Sequence, residues 1–190
     1  MATLKEYREE RIKKLTELRA QGYDPYPATA HRTHMAQDVI DQFDALQGQT
    51  VTVAGRVMAL RKFGKLAFIV IRDLSGQVQL FLHVPDIAAA DPTAGVIGVE
   101  QLGLLDTGDF VEATGEVITT KTGEKSVGVK SLRLLTKALR PMPEKLENKE
   151  ERFRRRYVDM NVNLDVRDRF VRRSKFWQAT REFLDTHGFY

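Results

Sequence analysis

The chain of 190 residues contains no cysteine, which excludes a disulfide framework and all thiol chemistry. It has no apolar run of the roughly 18 residues that a membrane-spanning helix needs. The N-terminal MATLKEYREERIKKL lacks the apolar stretch of a secretory signal, so a cytoplasmic protein is expected, with no membrane partner. Catalytic signals are equally sparse. The four histidines, His31, His34, His83 and His187, are scattered, and no carboxylate set is spaced to complete a metal site around His31 and His34. No glycine-rich phosphate loop of the Lys-Ser/Thr type occurs, and Ser75 has no evident base. No catalytic residue, no metal site and no cofactor of the chain's own is therefore assigned.

What is present is charge of both signs, unevenly placed. Residues 1–50 carry 7 basic and 8 acidic side chains, residues 51–138 carry 10 and 9, and residues 139–190 carry 13 and 9, for a net charge of +4. The excess permits a nucleic-acid partner without requiring one.

The pattern along the chain divides it into four parts. Residues 1–50 read as a helical extension. Leu4, Tyr7, Ile12, Leu15 and Leu18 form an apolar stripe on a helix over 3–21, ended by Gly22. Asp24-Pro25-Tyr26-Pro27 follows as a stiff non-helical stretch, and a short helix is expected within 35–46. Residues 51–138 change to a period of two. Strands are expected from Val51, over 66–72, over 77–83, over 109–118 and over 127–135. Asp73-Leu74-Ser75-Gly76 makes a tight turn, residues 120–124 a polar turn, and residues 87–105 an irregular connection holding a short helix. Five strands with a longer link between the third and fourth predict a mainly β chain built on a five-stranded OB-fold barrel. A generic small barrel is the competing reading. Pro141 and Pro143 mark a linker over 139–165. Residues 166–190 begin a helix bearing Phe170, Phe176, Trp177 and Phe183, whose aromatic face points to a partner chain or a further domain, or to simple packing on the barrel or linker.

Candidate binding residues come from the pleat. Ile69 and Ile71 face the interior with Val78 and Leu80; Phe68 and Gln79 fall on the opposite, outer side. A two-residue turn would set Ile71 opposite Val78 and Phe68 opposite Phe81, making Phe68 and Gln79 diagonal neighbours. A phenyl ring on such a face stacks on an unpaired base, and an amide carries both donors and an acceptor to read the base edge. Cross-strand packing beside a solvated glutamine is the plainer alternative. Arg61, Lys62 and Lys65 are placed in the loop before the second strand, where they would hold phosphates or stack. Lys121 and Glu124 sit in the turn that flanks the groove of such barrels. Arg152 to Arg156 is the densest basic run; phosphate contact and pairing with Glu147, Glu150 and Glu151 are both open.

These residues carry a resemblance. VTVAGRVMALRKFGKLAF (51–68), RDLSGQVQLF (72–81), TKTGEKSVGVKSLRLLTKALRPMPEK (120–145) and RRYVDMNVN (155–163) resemble the N-terminal, anticodon-binding part of bacterial-type class II lysyl-tRNA synthetases. The likeness runs from Arg11 to Tyr190 and stops inside the family's motif 1, so residues 166–190 would be the incomplete start of a class II catalytic domain. The resemblance implies that Phe68 stacks on the central uridine of the anticodon, that Gln79 reads that base, and that Arg61 and Glu124 make further anticodon contacts. Lys62, Lys65 and Lys121 are possible auxiliary RNA contacts. Leu60 departs from the arginine many members carry there, so one contact is lost or taken over by Lys62. The resemblance further implies lysine tRNA as partner, a homodimer for the whole enzyme, and ATP with Mg2+ for its lysine–tRNA ligase reaction. This segment alone would be inactive. Two other readings compete: a general single-strand nucleic-acid-binding module, and a structural or oligomerisation domain.

Overall fold

The computed structural model describes residues 3–143 and 145–189. Met1, Ala2 and Tyr190, at the outer ends of the expected extension and catalytic segment, and Glu144 in the expected linker lie outside them. The chain forms two compact units, Met1–Pro141 and Met142–Tyr190.

In the first unit, helix α1 spans Leu4–Ala20 and is opened by a reciprocal cap. The Thr3 hydroxyl accepts from the Glu6 N–H at 3.3 Å, and the Glu6 carboxylate accepts from the Thr3 N–H at 2.6 Å. Its buried side is narrower than the stripe predicts: Leu15 and Leu18 are buried with Arg11, while Leu4 and Tyr7 are exposed. Arg11 is held because its guanidinium donates to the carbonyls of Ala138 and Thr107 at 3.0 and 2.9 Å. Two short helices follow, α2 at Ala36–Asp41 and α3 at Phe43–Leu46, and bury Val39, Phe43 and Leu46.

The strands are β1 Thr50–Phe63, β2 Leu66–Arg72, β3 Gln77–His83, β4 Phe110–Thr119 and β5 Lys125–Thr136. They close into a ring in the order β1-β2-β3-β5-β4. The ring is uneven. Strand β5 pairs antiparallel with β4 along its length, but parallel with β3 through only Gln79↔Ser126, Leu80↔Val127 and Phe81↔Gly128. The expectation of a mainly β OB barrel is thus corrected. The chain is mixed α/β, 38% helix and 28% strand, and its sheet is a ring with one short seam rather than a uniformly paired barrel. The helices outside 51–138 outweigh the strands that dominate the alternating pattern.

The inside of the ring is filled by Val51, Val53, Val57, Ile69, Ile71, Val78, Leu80, Val111, Ala113, Val127, Val129 and Leu132, all buried. Burial on this scale is the main driving force for closure. Gly115 has no room for a side chain between β4 and β5: a Cβ there would collide with the Gly128 carbonyl. The Asp73 turn also seats a helix. One Asp73 oxygen accepts from the Ser75 N–H and hydroxyl at 2.7 and 2.6 Å; the other accepts from the Ala36 N–H at the start of α2, at 2.8 Å. Burial pushes the Asp73 carboxyl up, but these donors outweigh it and hold the group below its ordinary value.

An ion network closes one end of the ring. The Lys137 ammonium, fully buried, donates to the Leu104 carbonyl at 2.8 Å, to Asp106 at 2.5 Å and to Asp109 at 2.8 Å. Asp106 also receives Lys14 of α1 at 2.6 Å. The irregular connection contributes Leu102, Leu104 and Leu105 to the core, from a 3-10 turn at Glu100–Leu104.

The second unit holds α4 at Lys149–Arg154, α5 at Arg156–Val162 and α6 at Leu164–Thr186. Buried Asp159 gathers Arg152 at 2.9 Å, Arg156 at 2.6 Å and Asn163 at 2.7 Å. Arg154 and Arg155 pair with Glu150 and Glu151. The basic run thus meets acidic partners within its own unit, with Arg154 and Arg155 still exposed in surface pairs. On α6, Phe176, Trp177 and Phe183 are exposed. No helix among the described residues is long and apolar enough to cross a membrane.

Candidate nucleic-acid interface

The β2–β3 hairpin pairs as its alternation requires. Ile71 faces Val78, Ile69 faces Leu80, Val70 faces Gln79 and Phe68 faces Phe81. Phe68 and Gln79 are diagonal neighbours on the outer face, both half-buried. The rings of Phe68 and Phe81 lie 5.4 Å apart at 52°.

What brings Arg61 to this face is a bulge. Positions Val51, Val53, Gly55 and Val57 point inward, and the same alternation would send residues 59, 61 and 63 inward too. The register shifts between Val57 and Ala59, which inserts one extra residue and reverses the phase. After it Leu60 packs against the core, and Arg61 pairs across from Phe68. Arg61 and Lys62 therefore stand on β1, not in a loop; only Lys65, in the turn after Gly64 at φ 56°, is in one.

The bulge also carries out an aromatic that the alternation did not single out. Phe63 is 61% exposed, and its ring meets Phe68 edge-on at 6.2 Å. Phe63, Phe68 and Phe81 make a row of rings across three strands. The available signal was Leu60, three residues after Val57 where strict alternation would place an inward residue at two or four.

Lys62 goes the other way. It pairs with inward-facing Ala67, and its ammonium donates to the Leu102 carbonyl at 2.8 Å. Desolvation and the nearby charge of Lys14 lower its pKa, against a raising effect of Asp106. Neither Leu60 nor Lys62 therefore faces the Phe68 row.

The turn between β4 and β5 closes the other side. The Thr120 N–H donates to the Glu124 carbonyl at 3.0 Å, and the Glu124 N–H to the Thr120 hydroxyl at 3.1 Å. Lys121 and Glu124 are exposed at its tip. The turn is tied to the Gln79 amide through Ser126: Gln79 Nε2 donates to Ser126 Oγ at 3.0 Å, and Ser126 Oγ donates to the Glu124 carbonyl at 3.3 Å. Beyond Phe81, β3 and β5 diverge and leave a depression of about 170 Å³, lined by Phe81, His83, Asp86, Glu116, Ile118 and Lys130.

The geometry combines a row of aromatic rings, an amide beside them, and exposed cations at Arg61, Lys65 and Lys121. It suits a single strand with splayed bases: rings stack on base faces, the amide meets a base edge, and the cations meet phosphates. Residues 51–135 match the tRNA anti-codon family, described as an OB-fold nucleic acid binding domain. That description applies to the ring, and the mixed composition to the whole chain.

The particular relatives are ligases. The chain is 41% identical over 188 residues to a lysine–tRNA ligase of Clostridium botulinum, covering 97% of the chain and 36% of that protein. It is 43% identical over 183 residues to one of Clostridium perfringens, covering 94% of the chain and 35% of that protein. With one of Carboxydothermus hydrogenoformans it shares 41% over 182 residues, 94% of the chain and 36% of the relative. The chain spans about a third of the length of the curated relatives it matches. Residues 51–135 thus match an OB-fold nucleic acid binding domain, within a chain that is similar over most of its length to part of bacterial lysine–tRNA ligases.

Proposed function

We propose that the OB-fold domain, over residues 51–138, recognises the anticodon loop of lysine tRNA. The observation that carries this reading is the pairing of Phe68 with Gln79 on one outer face, with Arg61 across from Phe68. Phe68 stacks on the central anticodon base, Gln79 reads its edge, and Arg61 holds the adjoining backbone. Glu124 reads a second base from the β4–β5 turn, while Lys65 and Lys121 contact phosphate. Lys62, committed to the Leu102 carbonyl, is left out of the set. Residues 1–50 buttress the ring, 139–165 link it onward, and 166–190 begin the catalytic domain.

The protein as a whole is, on this proposal, a cytoplasmic lysine–tRNA ligase acting as a homodimer; the exposed aromatics of α6 support a dimer contact. ATP and Mg2+ enter only through that activity. The described residues gather no group of three or more His, Cys, Asp or Glu suited to a metal ion.

The test is a titration of the chain with the lysine tRNA anticodon stem-loop and with a variant changed at the central base. Tighter binding to the central uridine is the expected result. Equal binding to both, with a steep salt dependence, would instead favour a general single-strand binder. A stable dimer that binds no RNA would favour an oligomerisation domain. Phe63→Ala is expected to weaken the stem-loop by about tenfold, since a lost stack is worth roughly 1–3 kcal/mol. It should leave the melting temperature nearly unchanged, because the ring is mostly in solvent. An unchanged affinity would remove Phe63 from the interface.

A further inference from the structure

We propose that Lys125 is a positioning residue: through helix α2 it holds the β4–β5 turn in place beside the β2–β3 hairpin, so that Glu124 meets a base flanking the one over Phe68. The inference rests on the reading of Glu124 above and adds to it the device that aims the carboxylate.

The β4–β5 turn is stiff within itself. Thr119 pairs with Lys125 at its root. The Gly123 N–H donates to the Thr120 carbonyl at 2.9 Å, and the Thr120 N–H to the Glu124 carbonyl at 3.0 Å. Such a turn moves as one piece, and its aim is set by what grips its root. Ser126 ties that root to Gln79. Lys125, one residue earlier on β5, turns to the opposite face of the strand and reaches the helices. Its ammonium donates to the Ile40 carbonyl at 3.3 Å and lies 4.9 Å from the centre of the Phe43 ring. Carbonyls in the last turn of a helix lack an intrahelical donor, and the face of a buried ring attracts a cation. Lys125 answers both.

The other end of α2 is seated on the hairpin. The Ala36 N–H donates to Asp73 at 2.8 Å, and the Gln37 N–H to the Ser75 hydroxyl at 3.0 Å. Gly76 leaves the room this contact needs, since a Cβ there would collide with the Gln37 amide. Helix α2 is thus a brace of six residues, with one end on the β2–β3 turn and the other on the root of the β4–β5 turn. Phe68 and Gln79 stand on the first wall, Lys121 and Glu124 on the second. A carboxylate only accepts hydrogen bonds, so Glu124 selects a base by its N–H groups, and only where it is held in register with that edge. Removing the Lys125 ammonium frees the root of the turn from α2 and lets the carboxylate drift.

The experiment uses the whole chain and lysine tRNA anticodon stem-loops changed at the central base or at either flanking base. Glu124→Ala should flatten the preference at one flanking position from about tenfold to near one, the loss of a hydrogen bond to a charged group. Lys125→Met should shrink the same preference to about two- or threefold. It should keep the preference for a central uridine and the slope of affinity against salt. Lys125→Arg, which keeps a donor and a cation for the Phe43 ring, should restore the flanking preference. Titrations run well below each variant's melting temperature. Lys125→Met that still discriminates fully at the flanking base overturns the role of Lys125. A slope lowered by roughly 0.7–0.9, the mark of a lysine on phosphate, also overturns it. So does a joint fall of the central and flanking preferences, which marks general loosening of the ring. Glu124→Ala with undiminished discrimination at both flanking positions overturns the reading of Glu124 itself, whatever Lys125 does.

Discussion

Lys137→Met should lower the melting temperature of the ring by roughly 10 °C, the equivalent of about 3–5 kcal/mol for breaking a buried ion pair in a unit of this size. Lys137 is fully buried, as is Asp109, and they meet at 2.8 Å. Removing the ammonium leaves the Asp109 carboxylate with only two backbone donors, the N–H groups of Asp106 and Ala138, both at 2.8 Å. Asp106 keeps Lys14, so the penalty falls mainly on Asp109. The double variant Lys137→Met with Asp109→Asn should regain part of the loss, because the amide keeps an acceptor for a backbone N–H and carries no charge. The pH dependence has a definite sign. Burial pushes the Asp109 carboxyl above its ordinary 3.8, and Lys137 is the first influence opposing that. Without Lys137 the folded-state value rises further. A carboxyl raised on folding costs stability at neutral pH, and the cost fades as pH falls through the raised value toward 3.8. The gap in melting temperature between variant and unaltered protein should therefore narrow on acidification. A variant that melts within about 2 °C of the unaltered protein at pH 7 would mean that the pair is solvated rather than buried.

Lys137 also shows what a sequence displays and what it withholds. The segment TKALRP stands out as a resemblance, yet nothing in it marks the lysine as buried. Its partners, Asp106, Asp109 and the Leu104 carbonyl, lie about thirty residues away, and only closure of the ring assembles them. The β2–β3 hairpin is the opposite case. Alternation and a tight turn fix its register locally, so the placing of Phe68 beside Gln79 was legible. The bulge after Val57 was not, because one inserted residue leaves almost no periodic trace. It moves Arg61 from an expected loop to the strand and brings Phe63 into the aromatic row. The contact of Ser126 with Gln79 leaves no local signal for a related reason: it forms only across the short β3–β5 seam. The alternating segment speaks only for 51–138, while α1 and α6 contribute long helical stretches outside it.

Phe68→Ala should weaken binding of the anticodon stem-loop by about 10- to 100-fold, the loss of one base stack at roughly 1–3 kcal/mol. The ring is half-buried on the outer face, where it touches Phe63 and Phe81, so the core inside the ring is untouched. Two further substitutions separate stacking from simple cover. Phe68→Tyr retains a flat π face and should bind nearly as well as the unaltered chain; Phe68→Leu retains apolar bulk without the plane, and should bind like alanine while melting like phenylalanine. The base dependence separates the two site residues. A stack tolerates any base, since each has a π face, so Phe68→Ala should weaken central-uridine and central-cytidine loops by the same factor. On the proposed reading the ratio between them follows the amide of Gln79, so Gln79→Ala should change it. The salt dependence separates the third. Phe68→Ala removes no charge and should leave the slope of affinity against salt unchanged, whereas Arg61→Ala should flatten it by about one phosphate contact. If Phe68→Ala instead abolished the uridine preference and spared overall affinity, the ring would be holding Gln79 in place rather than a base, and the division of labour between stacking and reading would have to be reversed.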